Sequence, residues 1–222
     1  MGQMITLDAH DGHRLQAYDA QPAGRPRGAL VVVQEIFGVN SHIRRVADGY
    51  AADGYRVLAP ALFDRVRPGI DLGYTDADIA QGRSIREKVT FDHALADVAA
   101  ARDALRGMGN VGVVGYCWGG TVTWLAAARL PGFAAASSYY GGGIGKFAGE
   151  APRCPTQCHF GDKDHAIPLD EVDAVRKANP GVQVFVYPAG HGFNCDARGS
   201  YDAKAAALAR ERTLEFFRTH LG

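Results

Sequence analysis

The sequence has 222 residues, of which 47% are hydrophobic, and its 24 basic residues balance 24 acidic ones. This length and apolar content are sufficient for one complete hydrophobic core, so we expect a single domain over residues 1–222. The balanced charge gives no electrostatic reason to expect binding to nucleic acid or to an anionic membrane surface, which leaves a small molecule as the expected partner.

The sequence also lacks signals for a membrane or an oxidising compartment. No apolar run approaches the roughly 20 residues that span a bilayer, and residues 1–6 do not begin a signal peptide. The cysteines are irregularly spaced and do not resemble a disulfide framework, so we expect a cytoplasmic protein. Cys154 and Cys158 have no matching pair of cysteines or histidines for zinc and are interpreted as structural thiols.

The chain opens with a predicted antiparallel hairpin, because polarity alternates on both sides of the turn dipeptide Asp11-Gly12. Strands and helices then alternate. The predicted strands are residues 5–7, 14–18, 29–33, 55–59, 111–114, 134–140, 156–160 and 182–187. The predicted helices are residues 41–52, two helices within 76–106 that are separated near Thr90, 121–130, 169–178 and 200–221.

This order predicts an α/β fold with a mostly parallel central sheet flanked by helices. Ligand sites in such sheets form beyond the carboxyl ends of the strands. The candidate residues for chemistry follow predicted strands at that end. The connection over residues 60–75 has no sustained periodicity, and long connections of this kind within a compact domain are usually functional.

Cys117 lies between a predicted strand and a predicted helix, in the sequence Gly115-Tyr116-Cys117-Trp118-Gly119. A nucleophile on a sharp strand-to-helix turn needs glycine two positions before and after it, because Cβ atoms there would collide with the strand and the helix. The backbone N–H of Trp118 is then free at a helix N-terminus and suits an oxyanion. The motif alone is also compatible with a small core cysteine.

An aspartate and a histidine follow the cysteine in the chain order of α/β-hydrolase triads, which is nucleophile, acid, histidine. Asp164 follows the strand predicted over residues 156–160, and His191 follows the last predicted strand. In this arrangement Cys117 attacks a carbonyl carbon, His191 transfers the proton and Asp164 orients the imidazole. Position alone leaves alternatives open for two of these roles. Asp162 could replace Asp164 as the acid, and His159 or His165 could replace His191 as the histidine.

Four motifs lie in register along the chain: Gln34-Glu35-Ile36-Phe37-Gly38-Val39-Asn40, Gly115-Tyr116-Cys117-Trp118-Gly119-Gly120, Gly161-Asp162-Lys163-Asp164-His165 and Gly190-His191-Gly192-Phe193. Together they resemble the dienelactone hydrolase family, the carboxymethylenebutenolidases. The resemblance extends over essentially the whole chain, to Glu211-Arg212-Thr213 in the last helix. It implies a monomeric α/β-hydrolase that opens lactones or enol esters through a Cys-His-Asp triad, with no metal or cofactor.

The resemblance also implies roles for two residues around the cysteine. A glutamate at the position of Glu35 approaches the nucleophilic thiol, and a carboxylate there disfavours the thiolate until substrate binds. The alternative is a solvent-facing loop carboxylate, which the position directly after a central strand argues against. The backbone N–H of Ile36 is expected to join that of Trp118 as the second oxyanion donor.

The expected substrate-binding residues are Arg83, Arg86, Arg198, Phe37 and Tyr140. Guanidinium groups suit a substrate carboxylate because they bind it bidentately. The sequence departs here from the family pattern, which has an arginine where Gln81 stands and another shortly after the catalytic histidine. The three arginines are therefore expected either to hold a substrate carboxylate or to lie as solvated residues, and the identity of the lactone stays open.

Two other functions are compatible with the same residues. A broader carboxylesterase or thioesterase uses the same groups on other esters. A non-catalytic, redox-sensing module, in which Cys117 is oxidised rather than acylated, does not need the aspartate and the histidine. The presence of both therefore favours a hydrolase.

Overall fold

The computed structural model describes residues 2–222. Within them, strands and helices alternate after an initial hairpin. Strands β1 to β8 cover Gln3–Asp8, Arg14–Ala20, Gly28–Val33, Tyr55–Pro60, Val111–Tyr116, Ala135–Tyr139, Thr156–Gly161 and Gln183–Tyr187. Helices α1 to α6 cover Ser41–Ala52, Asp76–Arg86, Phe91–Ala104, Trp118–Arg129, Leu169–Ala178 and Ala203–Leu221.

These strands form one sheet in the order β1-β2-β4-β3-β5-β6-β7-β8. β1 and β4 both pair antiparallel with β2, whereas the pairs from β4 across to β8 are parallel. Every residue of β3 and β5 is buried, as expected for strands covered by helices on both faces. The predicted mostly parallel α/β sheet and its opening hairpin are confirmed.

Side-chain caps begin two helices where the sequence predicts them. Asn40 accepts a hydrogen bond from the backbone N–H of Ile43 at the start of α1. Thr90 accepts one from the backbone N–H of His93 at the start of α3. Thr90 therefore separates α2 from α3, as predicted.

Three of the differences between predicted and observed element boundaries have a visible cause. Helix α4 begins at Trp118 rather than at residue 121, because the chain turns from Cys117 directly into the helix. Strand β6 ends at Tyr139, since the φ of 38° at Tyr140 takes the chain out of the extended conformation. Helix α6 begins at Ala203, where the side chain of Asp202 caps it.

The connection between β4 and α2 packs against the loop that follows β3. It contains the short 3-10 helix Leu62–Arg65, and Asp71 pairs with Gly38 through an isolated bridge. Arg65 ties the connection to α3 through hydrogen bonds of 3.0 and 2.7 Å to the buried carboxylate of Asp97. Within residues 2–222, no helix is both long and apolar enough to cross a membrane.

Candidate active site

Cys117 occupies a strained turn between β5 and α4. Its φ of 56° and ψ of −123° lie in a region that side chains rarely adopt. The flanking glycines make the turn possible. A Cβ on Gly115 would lie 2.1 Å from the carbonyl oxygen of Gly119, and a Cβ on Gly119 would lie 2.3 Å from the carbonyl oxygen of Gln34. The predicted spacing of glycines around the cysteine thus has a direct steric cause.

The thiol, an imidazole and a carboxylate meet at the carboxyl ends of the strands. Nε2 of His191 lies 3.1 Å from Sγ of Cys117, across 74 residues of sequence. Nδ1 of His191 lies 2.7 Å from Oδ2 of Asp164. The three residues come from the loops after β5, β7 and β8, as the chain order predicts. This arrangement can transfer a proton from the thiol to the imidazole.

Backbone contacts fix the orientation of the aspartate and the histidine. The other carboxylate oxygen of Asp164 accepts a hydrogen bond of 2.9 Å from the backbone N–H of Ala166. The hydroxyl of Ser200 donates a hydrogen bond of 2.6 Å to the backbone carbonyl of His191. Both catalytic candidates are therefore held before any ligand arrives, which lowers the cost of reaching a reactive geometry.

The competing residues do not reach the thiol. Asp162 and His165 are exposed on the loop after β7. His159 is buried in the sheet, with its ring nitrogens 2.8 Å from the hydroxyl of Tyr187 and 3.1 Å from that of Thr213. Burial lowers the pKa of His159 to about 3, so this ring stays neutral. Its role is structural, since both ring nitrogens contact hydroxyl groups in the core.

The environment of His191 favours its protonated form. Burial alone lowers the pKa of His191, but the negative charge of Cys117 and the hydrogen bond with Asp164 outweigh burial and raise the pKa to about 10. The surroundings of His191 therefore favour the protonated form of its ring. A thiolate, not a thiol, is the nucleophilic form of cysteine.

Glu35 is fully buried, so the alternative of a solvent-facing loop carboxylate is excluded. Its side chain accepts a hydrogen bond of 3.1 Å from the hydroxyl of Tyr74 and one of 3.3 Å from Nη1 of Arg198. Burial lowers the pKa of Arg198, but the charge of Glu35, together with weaker effects of neighbouring titratable side chains, outweighs burial and raises that pKa. The carboxylate is thus held by two donors rather than left free beside the thiol.

A cavity of about 440 Å³ opens beside the thiol. Its wall contains Cys117 and His191, together with four predicted substrate-binding residues, Phe37, Arg83, Arg86 and Arg198. Ile36 and Trp118 also line it, and the backbone N–H of Trp118 has no partner within α4 because this residue opens the helix. Ile36 and Trp118, the residues of the two expected oxyanion donors, thus border the same cavity as the thiol.

Tyr140 is outside this lining, which corrects its expected place in the pocket wall. It is fully buried, and its ring centroid lies 5.2 Å from that of His191 in an edge-on contact. The positive φ at the end of β6 turns the tyrosine into the protein, where it supports the imidazole. A substrate cannot contact this side chain without moving it.

The sequence profile of the dienelactone hydrolase family matches residues 15–221. The chain belongs to the dienelactone hydrolase family. A Pseudomonas putida protein named "Carboxymethylenebutenolidase" is 35% identical over 96% of this chain and 94% of its own length. A Synechocystis protein named "Putative carboxymethylenebutenolidase" is 38% identical over 86% of each chain.

The fold agrees with this assignment. A Klebsiella pneumoniae crystal structure, titled "Putative Dienelactone Hydrolase", superposes with a TM-score of 0.87 at 31% identity and covers 99% of both chains. The eight-stranded sheet is therefore an α/β-hydrolase sheet. As a member of the dienelactone hydrolase family, the protein is a hydrolase of ester or lactone bonds.

Tyr74 is a residue of the site that sequence reasoning missed. It lies in the connection over residues 60–75, which was expected to be functional, but no motif singles it out. Burial and the neighbouring charge of Glu35 raise the pKa of Tyr74 well above its usual range, so the phenol remains a hydrogen-bond donor. The signal available in the sequence was an aromatic residue within an irregular connection.

Proposed function

We propose that this dienelactone hydrolase relative opens a small, carboxylate-bearing lactone or enol ester through an acyl-cysteine intermediate. Cys117 is the nucleophile, His191 the proton carrier and Asp164 the residue that orients and stabilises the imidazolium. The observation that carries the proposal is the 3.1 Å contact between the thiol and the imidazole at the wall of the cavity.

The proposed first step forms a bond between Sγ of Cys117 and the carbonyl carbon. The negative charge that develops on the carbonyl oxygen is stabilised by the backbone N–H groups of Ile36 and Trp118. Collapse of this intermediate breaks the ester C–O bond, and His191 gives its proton to the departing oxygen. In a lactone that oxygen remains part of the acyl group, so the ring opens without release of a fragment.

The proposed second step uses water as the nucleophile. His191, now neutral, removes a proton from water, and the hydroxide adds to the acyl carbon. The C–S bond then breaks, and the proton held by His191 returns the site to its ion pair or thiol form. The product is the free acid with an added water, so the atoms balance.

The arginines support an anionic substrate. Arg83, Arg86 and Arg198 all face the cavity, and Glu35 is the buried carboxylate that pairs with one of them. Two guanidiniums are thus left for an acidic ligand. Their fork geometry matches a carboxylate. The chemistry suits lactones that retain an acid group, such as those formed by cleavage of aromatic rings.

We also propose that one chain in a reducing cytoplasm is sufficient for turnover. Every group in the described site comes from the same chain, and a thiolate nucleophile requires an environment that does not oxidise it. Analytical ultracentrifugation at the assay concentration tests whether one chain is sufficient. We expect the protein to sediment as a monomer under conditions in which it is fully active.

Trapping the intermediate tests the proposal. A slow aryl ester is mixed with the protein, and intact mass and peptide mapping are measured after quenching in acid. We expect the mass of one acyl group on the peptide that contains Cys117, and no addition in Cys117→Ala. The Cys154→Ser variant serves as the control and is expected to acylate normally. Unlabelled Cys117 despite turnover would refute the proposal. Peroxide-dependent oxidation without ester turnover would favour the redox module.

A substrate panel tests the anionic preference separately. Turnover of cis- and trans-dienelactone is compared with that of neutral lactones and simple aryl esters. We expect a higher kcat/KM for the anionic lactones. Equal values would support the broader carboxylesterase and reject the role of the arginines, while leaving the acyl-cysteine chemistry in place.

A further inference from the structure

A second cavity lies between α1 and α6, and we call it the α1–α6 cavity. Its volume is about 320 Å³, which is within the size range of small-molecule sites. Among residues 2–222, its lining shares no residue with that of the cavity beside Cys117. The facing parts of the two helices carry small residues, which leave this space open: Gly49 on α1, and Ala203, Ala206 and Ala207 on α6.

Two arginines line the α1–α6 cavity, one from each helix. Arg45 of α1 donates through Nη2 to Asp196, which also lines the cavity, and Arg210 of α6 donates through Nη2 to Asp53, which does not. No other hydrogen bond of either guanidinium occurs within the described residues. A guanidinium has five N–H groups, so both arginines keep donors for a ligand. Burial lowers the pKa of His42 and keeps this lining imidazole neutral.

The charge of the lining favours an anion. Its charged side chains are the guanidiniums of Arg45 and Arg210 and the single carboxylate of Asp196. One positive charge is therefore in excess within the lining. Guanidinium groups bind carboxylates in a planar, bidentate manner, which favours a carboxylate over a spherical anion.

Aromatic rings provide the apolar part of the cavity. Tyr50, Tyr116 and Tyr139 are buried and close its inner end. The guanidinium of Arg210 lies over the ring of Tyr50, 4.8 Å from its centroid. Tyr201 lines the cavity but is 44% exposed, so its ring is available to a ligand that enters from solvent. Aromatic rings pack well against other aromatic rings.

We propose that the α1–α6 cavity binds one small aromatic carboxylate as a second, non-catalytic site. The carboxylate accepts hydrogen bonds from Arg45 and Arg210, and the ring packs against Tyr201 and the small side chains of α6. The ligand does not react there, because Cys117 and His191 line the other cavity. The proposal is therefore independent of the reaction proposed at Cys117.

A titration that locates the ligand tests the proposal, because the cavity beside Cys117 also contains arginines. Benzoate is added to the ¹⁵N-labelled protein, and ¹H–¹⁵N correlation spectra are recorded. We expect saturable shifts of the amides of Gly49 and Ala207. Shifts confined to Gly142 and Ala166, which line the cavity beside Cys117, would overturn the proposal, and so would the absence of a saturable shift.

Two further compounds separate the contribution of the charge from that of the ring. Benzyl alcohol has the ring without the carboxylate, and acetate has the carboxylate without the ring. We expect both to bind at least about 10-fold more weakly than benzoate, since each lacks one of the two kinds of contact. Equal affinity for either compound would overturn the assignment to an aromatic carboxylate.

Matched variants test the lining. We expect Arg210→Gln to raise the Kd for benzoate about 10-fold or more, the effect of losing a hydrogen bond to a charged group. Arg176→Gln on α5 also removes an arginine that pairs with an aspartate, and it is expected to leave this Kd unchanged. Equal Kd values in the two variants would overturn the proposal.

A variant that fills the cavity gives a second test without loss of charge. Ala207 is exposed, so Ala207→Leu is expected to fold, and its larger side chain is expected to weaken benzoate binding about 10-fold or more by occupying the site. Ala174→Leu, at an exposed position on α5, is the control and is expected to bind benzoate as the parent does. Undiminished binding in Ala207→Leu would place the ligand elsewhere and overturn the proposal.

Discussion

The carboxylate of Asp164 lies 2.7 Å from Nδ1 of His191, whereas Asp162, on the same loop, is exposed to solvent. The backbone after β7 therefore selects one of two neighbouring aspartates. Asp164 is 6% exposed and receives a second hydrogen bond from the backbone at Ala166. The contact between the buried Asp164 and the half-buried His191 fixes which nitrogen of His191 faces the thiol.

We expect Asp164→Asn to lower kcat by roughly 10³- to 10⁴-fold, because an amide favours the wrong tautomer of the imidazole and does not stabilise its charged form. Steady-state hydrolysis of an aryl ester measures the effect. Asp162→Asn is the matched control, with kcat expected within about twofold of the parent, as for surface substitutions. Equal losses in both variants would show that the loop as a whole, and not the contact with His191, determines activity.

The strands, the turn at Cys117 and the order of the triad were accessible from the sequence because each has a local cause. Gly115 and Gly119 mark the sharp turn, and the apolar run before them marks a strand buried on both faces. The choice of Asp164 over Asp162 was not decided by position, because it depends on how the loop after β7 packs.

The surroundings of Glu35 could not be predicted for a similar reason. Its partner Arg198 is 163 residues away, and its partner Tyr74 lies in a connection without periodicity. Tyr140, the last residue of a predicted strand, is among the expected substrate-binding residues. Its positive φ, which no sequence pattern signals for tyrosine, turns it inward.

Arg83 gives the most direct test of how the cavity binds an acid. We expect Arg83→Gln to raise KM for a dienelactone about 10-fold, the effect of losing one hydrogen bond to a charged group, while a neutral aryl ester is hydrolysed as before. Comparison of kcat and KM for the two substrates measures this difference. Arg176→Gln on α5, a helix arginine away from the cavity, serves as control. A proportional change for both substrates would argue against carboxylate binding.

The pair of Glu35 and Arg198 is expected to behave as a unit in stability. Arg198→Gln leaves a buried carboxylate without its ion pair, so we expect the free energy of unfolding to fall by about 3 kcal/mol or more. Adding Glu35→Gln removes that charge and is expected to restore much of the loss. Urea unfolding of the two single variants and the double variant gives the coupling. Additive losses would mean that the two groups do not depend on each other.

The low pKa of His159 predicts that the free energy of unfolding falls in acid. The unfolded chain binds a proton at this residue below about pH 6.5, but the native ring does not until about pH 3. The buried, neutral ring of His159 therefore contributes fully to the free energy of unfolding above pH 6.5, and this contribution is lost as the pH falls towards 3. Between pH 7.5 and pH 5 the loss is about 2 kcal/mol.

Urea unfolding at both pH values measures this change. His159→Gln does not ionise and is expected to remove about that part of the pH dependence, whereas His93→Gln, at an exposed position, is expected to retain it. An unchanged pH dependence in His159→Gln would place the acid sensitivity elsewhere.

Gly119 is expected to tolerate no side chain. In Gly119→Ala the new methyl group would lie 2.3 Å from a backbone oxygen, so we expect destabilisation of about 3 kcal/mol and loss of ester turnover. In Gly181→Ala nothing lies within 4 Å of the new atom, and we expect little change or a small gain in stability. Thermal unfolding of both variants distinguishes a steric requirement at the turn from a general cost of replacing glycine.

Helix α2 carries Ile79, Arg83 and Arg86 into the cavity wall, whereas the reacting groups come from loops that end strands of the sheet. In the proposed function, the groups that break the bond and two of the three arginines that select the substrate thus lie on separate stretches of polypeptide. Exchange of residues 76–86 between homologous proteins would then transfer substrate preference without disturbing the machinery that breaks the bond. The ends of residues 76–86 are therefore suitable positions at which to join the sequences of two homologous proteins in the laboratory.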